Sequence, residues 1–191
     1  MLQVVNLTLQ RQDKLLFNNL NFVVKRGEIL QVLGKNGSGK SSLLMVLASL
    51  LLFDSGSVLW DSKVCLQGDK GNTSTYLKDI IYVGHQPPLQ PYLSPVENLQ
   101  LLLAIFKADF SLSFITKILT KLSLSKMIDT PCEQLSKGQC QRVNLARLEL
   151  QKGKLWILDE PFSTLDEYGI VYLQNLLLSH VSSGGMVVMA T

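Results

Sequence analysis

The sequence predicts an α/β fold: a mostly parallel sheet with helices, preceded by an N-terminal antiparallel β subdomain and interrupted by a helical insertion. Three observations lead there. Short apolar runs, "ILQVL" (29–33), "IIYVG" (80–84), "LWIL" (155–158) and "MVVMA" (186–190), recur between helix-like stretches. Buried strands of a parallel sheet read this way. The opening residues contain an alternating stretch, as half-buried strands do. Helical patterning dominates 95–127, which sets a helical insertion near 87–134.

In order, "LQVVNLTLQ" and "LNFVVK" are the first strands, the second placing Leu20, Phe22 and Val24 on one face. "KRGE" punctuates, and "ILQVL" is a buried strand running into a glycine loop. "SLLMVLASLLLF" (42–53) follows as a buried core helix, well short of the roughly 20 apolar residues that span a bilayer. "GSVLW" (56–60) is another short strand and "QGDKGNTST" (67–75) a polar loop. In "SPVE", Ser94 caps a helix, Pro95 takes its first position and Glu97 can close a capping box. "CQRVNLARLEL" and "DEYGIVYLQNLLLSH" are helices on either side of the strand "LWIL", and "MVVMA" is the last buried strand.

The bulk numbers bound the function. A chain of 191 residues makes one domain, or one with a small subdomain. It is 47% hydrophobic with mean hydropathy +0.22, yet its start lacks the basic residues and cleavage site of a secretory signal. A net charge of +3 without a basic block gives no footprint for nucleic acid. Cys65, Cys132 and Cys140 form no C-x-x-C pair, and with only His85 and His180 a zinc site is poorly supplied. The cysteines read as reduced, packed thiols of a cytoplasmic protein. Trp60 and Trp156 read as core aromatics, His180 as a dipole-compensating or solvated residue at a helix end, and His85 as local structure.

Two motifs carry chemistry. "GKNGSGKS" (34–41) fits G-x-x-x-x-G-K-S/T between a strand and a helix. Gly34, Lys35, Asn36, Gly37, Ser38 and Gly39 form a loop whose glycines let backbone N–H groups face phosphates. Lys40 reaches the β- and γ-phosphates, Ser41 can ligate Mg²⁺, and Ser42 is placed for the α-phosphate. "LWILDE" (155–160) ends an apolar strand in two carboxylates, at the end of the sheet where ligands bind. Asp159 would hold the Mg²⁺ shell and Glu160 would polarise the attacking water. These motifs give a P-loop nucleoside triphosphatase or a kinase, without choosing between them.

A third stretch chooses. "LSKGQ" (135–139) stands twenty residues before "LWILDEPFSTLD", with "GHQP" (84–87) upstream. Together these resemble the ATP-binding cassette family over essentially the whole chain. The resemblance implies a RecA-like core (1–86 and 135–191) with a helical subdomain at about 87–134. It also implies a head-to-tail homodimer that sandwiches each ATP. Ser136, Gly138 and Gln139 of one copy would close on the γ-phosphate held by the other, with the helix dipole contributing. Gln86 would be the loop glutamine that senses Mg²⁺ and γ-phosphate, and "STLD" (163–166), ending in Asp166, would cross the dimer interface.

The sequence departs from the family pattern at three places. Lys137-Gly138 replaces the usual glycine pair, keeping the Gly138 donor and adding a charge. Arg11 stands near the position of the residue that stacks on adenine, and an arginine plane can stack too. The switch histidine would follow "MVVMAT", so the native product is expected to continue past Thr191.

One cassette fills the chain, and fewer than a hundred residues separate Ser41 from Leu135 with no sustained heptad. That favours the ATPase subunit of a membrane transporter over soluble cassette proteins of translation or repair, or a regulatory scaffold that only binds ATP. "YVGHQP", "LSPVENL" and "LWILDEPFSTLD" resemble the ATP-binding subunits of cytochrome c maturation systems. This implies integral membrane partners at the cytoplasmic face of the inner membrane, and ATP hydrolysis driving haem export or release of a haem-loaded chaperone, with no haem bound by this subunit itself. Another exporter with a different substrate is the alternative.

Overall fold

The structure, a computed structural model, describes residues 1–67, 73–106 and 111–191. These form two compact units, Met1–Tyr82 with Gly153–Pro161 and Leu178–Thr191, and Val83–Lys152 with Phe162–Leu177.

The first unit holds two four-stranded sheets. Strands β1 (Leu2–Arg11), β2 (Lys14–Val24), β3 (Ile29–Val32), β4 (Ser55–Trp60), β5 (Lys63–Leu66), β6 (Ile80–Val83), β7 (Leu155–Asp159) and β8 (Met186–Ala190) divide into the orders β2-β1-β4-β5 and β3-β8-β7-β6. The first sheet is antiparallel at each pairing. Leu2, Val4, Leu7 and Leu9 alternate into the core, and the register Leu2↔Val24, Val4↔Phe22, Leu7↔Leu20 brings the expected face of β2 onto it. Asn6, in the left-handed region at φ 50°, breaks the β1 register, and β4 passes so close that a Cβ on Gly56 would lie 2.5 Å from the Asn6 carbonyl oxygen. In the second sheet β3 and β7 both pair parallel to β8. Every residue of β7 is buried. Helix α1 (Lys40–Leu47) contributes Leu43, Leu44, Val46 and Leu47 to the same core.

Several expectations change here. "ILQVL" is not a fully buried strand: β3 is an edge, with Leu30 and Val32 half-buried but Ile29 and Leu33 exposed. The helix expected over 42–53 stops at Leu47. Ser49 takes the left-handed region at φ 59°, and the bonds Ser49 N–H to Val46 O and Leu50 N–H to Met45 O close the end in a Schellman turn. Leu50 and Leu52 beyond it are exposed. The polar loop over 67–75 is preceded by β5 and overlaps helix α2 (Thr73–Asp79); residues 68–72 lie outside those described. Tyr76 anchors α2, fully buried, donating to the Leu47 carbonyl at 2.6 Å and packing edge-on to Trp60. Cys65 and Cys132 are buried and Cys140 half-buried, all three as free thiols, and Trp60 and Trp156 are buried as expected. His180 lies in the last turn of its helix and is half-buried rather than simply solvated: its ring stacks on Trp156 with centroids 3.8 Å apart, and its edge covers Gly185.

The second unit is helical. Helices α3 (Pro95–Ile105), α4 (Leu112–Lys121), α5 (Lys137–Leu145) and α6 (Arg147–Leu150) bury Leu99, Leu103, Ile118, Leu119, Val143 and Leu150 in one core. The helical stretch 95–127 is thus two helices and a turn region, with 107–110 outside the described residues. The Ser94–Glu97 capping box is present in full. Because Val143 of α5 and Ala146 just after it join this core, the helix that begins within "LSKGQ" groups with the helical unit rather than with residues 1–86. Helix α7 (Glu167–Ser182) begins in the second unit and ends in the first. Among the described residues no helix is long and apolar enough to cross a membrane.

Candidate nucleotide-binding site

The loop 34–41 connects β3 to α1 as its glycines require. Gly37 and Gly39 lie in the left-handed region at φ 75° and 99°. Gly39 is the N-cap of α1 and has no side-chain cap bond, so the first backbone N–H groups of the helix carry no side-chain acceptor of their own. A Cβ on Gly34 would meet Ser38 Oγ at 2.6 Å, a clash that rotation of the serine hydroxyl can relieve. Lys40 Nζ donates to the Gly34 carbonyl at 2.6 Å, which stretches its ammonium along the loop. Asn36, Gly37, Gly39, Lys40, Ser41, Ser42, Leu16 and Glu160 line a cavity of about 240 Å³. The loop and the second strand-end acid, 120 residues apart in sequence, therefore share one space.

Parallel pairing of β7 with β8 carries Asp159 and Glu160 to the mouth of this sheet. Asp159 is buried and lies in register with Ala190. Its Oδ1 is buried without a hydrogen-bond partner. A buried carboxylate oxygen left unpaired is costly unless something electropositive meets it. Tyr82 on β6 registers the same charge: burial, then Asp159, raises its phenol above the ordinary value. A carboxylate and a serine hydroxyl are the hard oxygen donors that Mg²⁺ takes, so Asp159 fits the metal role. Glu160 sits at φ 47°, with its N–H bonded to the Ala190 carbonyl at 3.1 Å. A non-glycine residue in that region is held there by its surroundings, and here the turn aims the side chain into the loop cavity.

In the second unit the helix start at Ser136 is closed by its own chain. Ser136 Oγ accepts the Gln139 N–H at 3.2 Å, and Gln139 Oε1 accepts the Ser136 N–H at 2.7 Å. The hydroxyl proton of Ser136 and the N–H of Gly138 stay available for an anion. Gly138 is required by packing as well: a Cβ would lie 2.6 Å from the Thr164 carbonyl oxygen. Gln86, exposed, lines a second cavity of about 410 Å³ with Leu89, Lys137, Cys140, Gln141 and Thr164. Asp166 caps α7 through Oδ1, accepting the Gly169 N–H at 2.9 Å, and pairs with Arg142. Arg11, exposed at the end of β1, is not among the residues lining the loop cavity.

Three contributors were not singled out from the sequence. Lys14, the cross-strand partner of Arg11, donates Nζ to the Gly37 carbonyl at 2.9 Å and braces the phosphate loop. Leu16 packs against Gly39. Asn98, buried in α3, uses Nδ2 on the carbonyls of Gln90, Leu93 and Ser94 and Oδ1 on the Gln90 N–H, so it holds the loop after Gln86 as one piece. A buried asparagine inside a capped helix is the signal that could have found it.

Comparison with known proteins agrees with this geometry. A family model described as ABC transporter matches residues 17–163. The chain is 41% identical over its full length to the cytochrome c biogenesis ATP-binding export protein CcmA of Vibrio cholerae, covering 90% of it. It is 42% identical to the protein of that name from Pseudomonas syringae, covering 87%. Among solved structures, an ATP-binding cassette captured as a dimer in a post-hydrolysis state with ADP and Pi superposes with a TM-score of 0.84 at 28% identity, covering all of this chain and 88% of that one. An ATP-binding subunit of an ABC transporter shares the fold with a TM-score of 0.85 at 24% identity, covering 78% of that chain.

Proposed function

Because the chain belongs to the ABC transporter family, we propose that its hydrolysis of ATP powers an export system of cytochrome c biogenesis from the membrane surface. It is an ATPase of the nucleotide-binding cassette type. The observation that carries the mechanism is the shared cavity of the phosphate loop and Glu160, with the orphaned Asp159 oxygen beside Glu160 in sequence.

In this mechanism the loop N–H groups and Lys40 grip the triphosphate and orient its terminal phosphoryl group. Ser41 and Asp159 would hold Mg²⁺, which would supply charge neutralisation for the phosphoryl oxygens when bound. Glu160 accepts a hydrogen bond from the attacking water and aligns it. Arg11 and the loop braced by Lys14 flank the nucleotide. A second copy, packed head to tail, presents its Ser136, Gly138 and Gln139 to the γ-phosphate, and its "STLD" segment ending in Asp166 lies along the interface. Both phosphate-binding helix starts then act on one ATP.

The membrane partner meets the segment after Gln86. Tyr92 is 80% exposed at the tip of a loop that Asn98 and the Ser94 capping box keep rigid, a shape suited to receive a cytoplasmic helix of an integral membrane subunit. ATP hydrolysis in the loop cavity drives haem export or release of a haem-loaded chaperone, and the subunit stays peripheral on the cytoplasmic face. Co-purification from membranes tests this: crosslinks from Tyr92 or Leu93 should reach an integral membrane subunit. Crosslinks confined to the strands near residue 60 overturn the docking site. Glu160→Gln should form an ATP-dependent dimer by light scattering, and a monomer at saturating ATP overturns the sandwich.

A further inference from the structure

The loop after β7 is fastened to the helix that begins at Ser136 at two points. Gly138 lies so close to Thr164 that no Cβ fits between them, 2.6 Å from its carbonyl oxygen. One turn further along the same face, Arg142 Nη1 reaches Asp166 Oδ2 at 3.4 Å, the arginine side chain only 14% exposed. The other Asp166 oxygen accepts the Gly169 N–H at 2.9 Å. A Cβ on Gly169 would lie 3.1 Å from Asp166 Oδ1 and 3.2 Å from Leu165 Cβ. Residues 164 and 166 thus meet positions 138 and 142, and the far end of the loop is tied to the start of α7. A guanidinium this far from water is costly without an anion beside it. An otherwise exposed loop carrying Ser163 and Thr164 thereby gains a fixed register.

We propose that Arg142 is a positioning residue that locks the Ser163–Asp166 loop onto the Ser136 helix, so that both segments reach a second copy of this chain as a single rigid piece. The inference rests on the reading that both segments face that second copy. Closure on ATP then depends on the ion pair although neither partner in it needs to touch the nucleotide. An untethered loop would sample other positions, and the closed dimer would form in fewer encounters.

The charge can be removed while the cap is kept. Asp166→Asn retains an oxygen for the Gly169 N–H and loses only the ionic partner of Arg142. In the full-length chain, Arg142→Gln and Asp166→Asn should each lower kcat about 3- to 10-fold, with KM for ATP unchanged. The double variant should be no slower than the slower single one, as coupled partners require. Arg142→Lys, which keeps a cation, should recover most of the rate. In the Glu160→Gln background, Arg142→Gln should shift ATP-dependent dimerisation to higher protein concentration. Rate losses that multiply in the double variant overturn the proposal, as does Asp166→Asn at the parent rate, or a change confined to KM. If Arg142→Gln does not fold, Asp166→Asn and its response to added Arg142→Lys decide alone. Should Glu160→Gln by itself remain monomeric in ATP, the dimer reading fails; dimerisation of Glu160→Gln with parent rates in these variants sinks only the present inference.

Discussion

The two helix starts proposed to bear phosphate-binding residues are built in opposite ways. Helix α1 begins at Gly39, left-handed and without a side-chain cap. Helix α5 begins at Ser136 with a complete capping box made by Gln139. Every helix leaves its first N–H groups without intrahelical partners. At α5 the chain supplies an acceptor itself for the Gln139 N–H, while the Gly138 N–H stays open. At α1 the glycine supplies none, and Lys40 donates to loop carbonyls. The site proposed to hold nucleotide within one copy thus has no side-chain cap on its helix, whereas the surface proposed to close on another copy's nucleotide carries a preformed capping box.

The largest effect is expected where neither helix start can compensate. Glu160→Gln should lower kcat by about 10²- to 10⁴-fold while ATP affinity, read by calorimetry, stays near the parent value; near-parent turnover would remove Glu160 from the role of base.

Gly39→Val comes next and breaks the α1 side of the comparison. A β-branched residue at φ 99°, with its Cβ 3.2 Å from that of Leu16, must distort the loop. Strain of roughly 1–3 kcal/mol at the nucleotide grip should weaken ATP binding by about tenfold or more, measured with a fluorescent nucleotide. Retained affinity would mean that the loop conformation matters less than the Lys40 charge.

Ser136→Ala probes the α5 side. It should cost about 1 kcal/mol of stability in urea unfolding and leave nucleotide binding to the monomer unchanged, while hydrolysis by the proposed dimer falls. If monomer affinity drops as it does for Gly39→Val, the two starts are not different in kind.

The smallest effect is a control in the first unit. Burial is the main cause lowering the His180 pKa below its usual 6.5, with its ring against Trp156. The unfolded chain then binds a proton near pH 6.5 that the folded chain resists, so this contribution is present above that pH and is lost as pH falls below it. Tm should decline from pH 7.5 to 5.5, less steeply in His180→Phe. An equal slope in both would assign the decline to other groups.

How much was readable follows from how local each signal is. The phosphate loop and the acid pair were legible because their spacing on one strand–turn–helix or strand end nearly dictates their geometry. The helix at Ser94 was legible because its cap and box lie within four residues. The end of α1 was not. A Schellman turn usually announces itself with glycine, and here Ser49 takes the left-handed position under tertiary constraint. The helix over 73–79 was hidden by polar composition, since one buried tyrosine, bonded to Leu47 across the core, anchors it. The exposed edge β3 read as a buried strand because apolar periodicity does not report sheet order.

By itself the sequence pointed to the chemistry: a glycine loop at 34–41 spaced for a triphosphate, a carboxylate pair at 159–160, and a second helix start at 136 proposed to meet an anion, each written in residues close together along the chain. Only the tertiary structure decided how those pieces are used. Parallel pairing through β8 carries Glu160 into the cavity of the phosphate loop. Burial leaves Asp159 with an unpaired oxygen. Helix packing sets Thr164 on Gly138 and Asp166 on Arg142. These are contacts between segments far apart in sequence, and they depend on sheet order, register and burial, which the packing of the whole core selects.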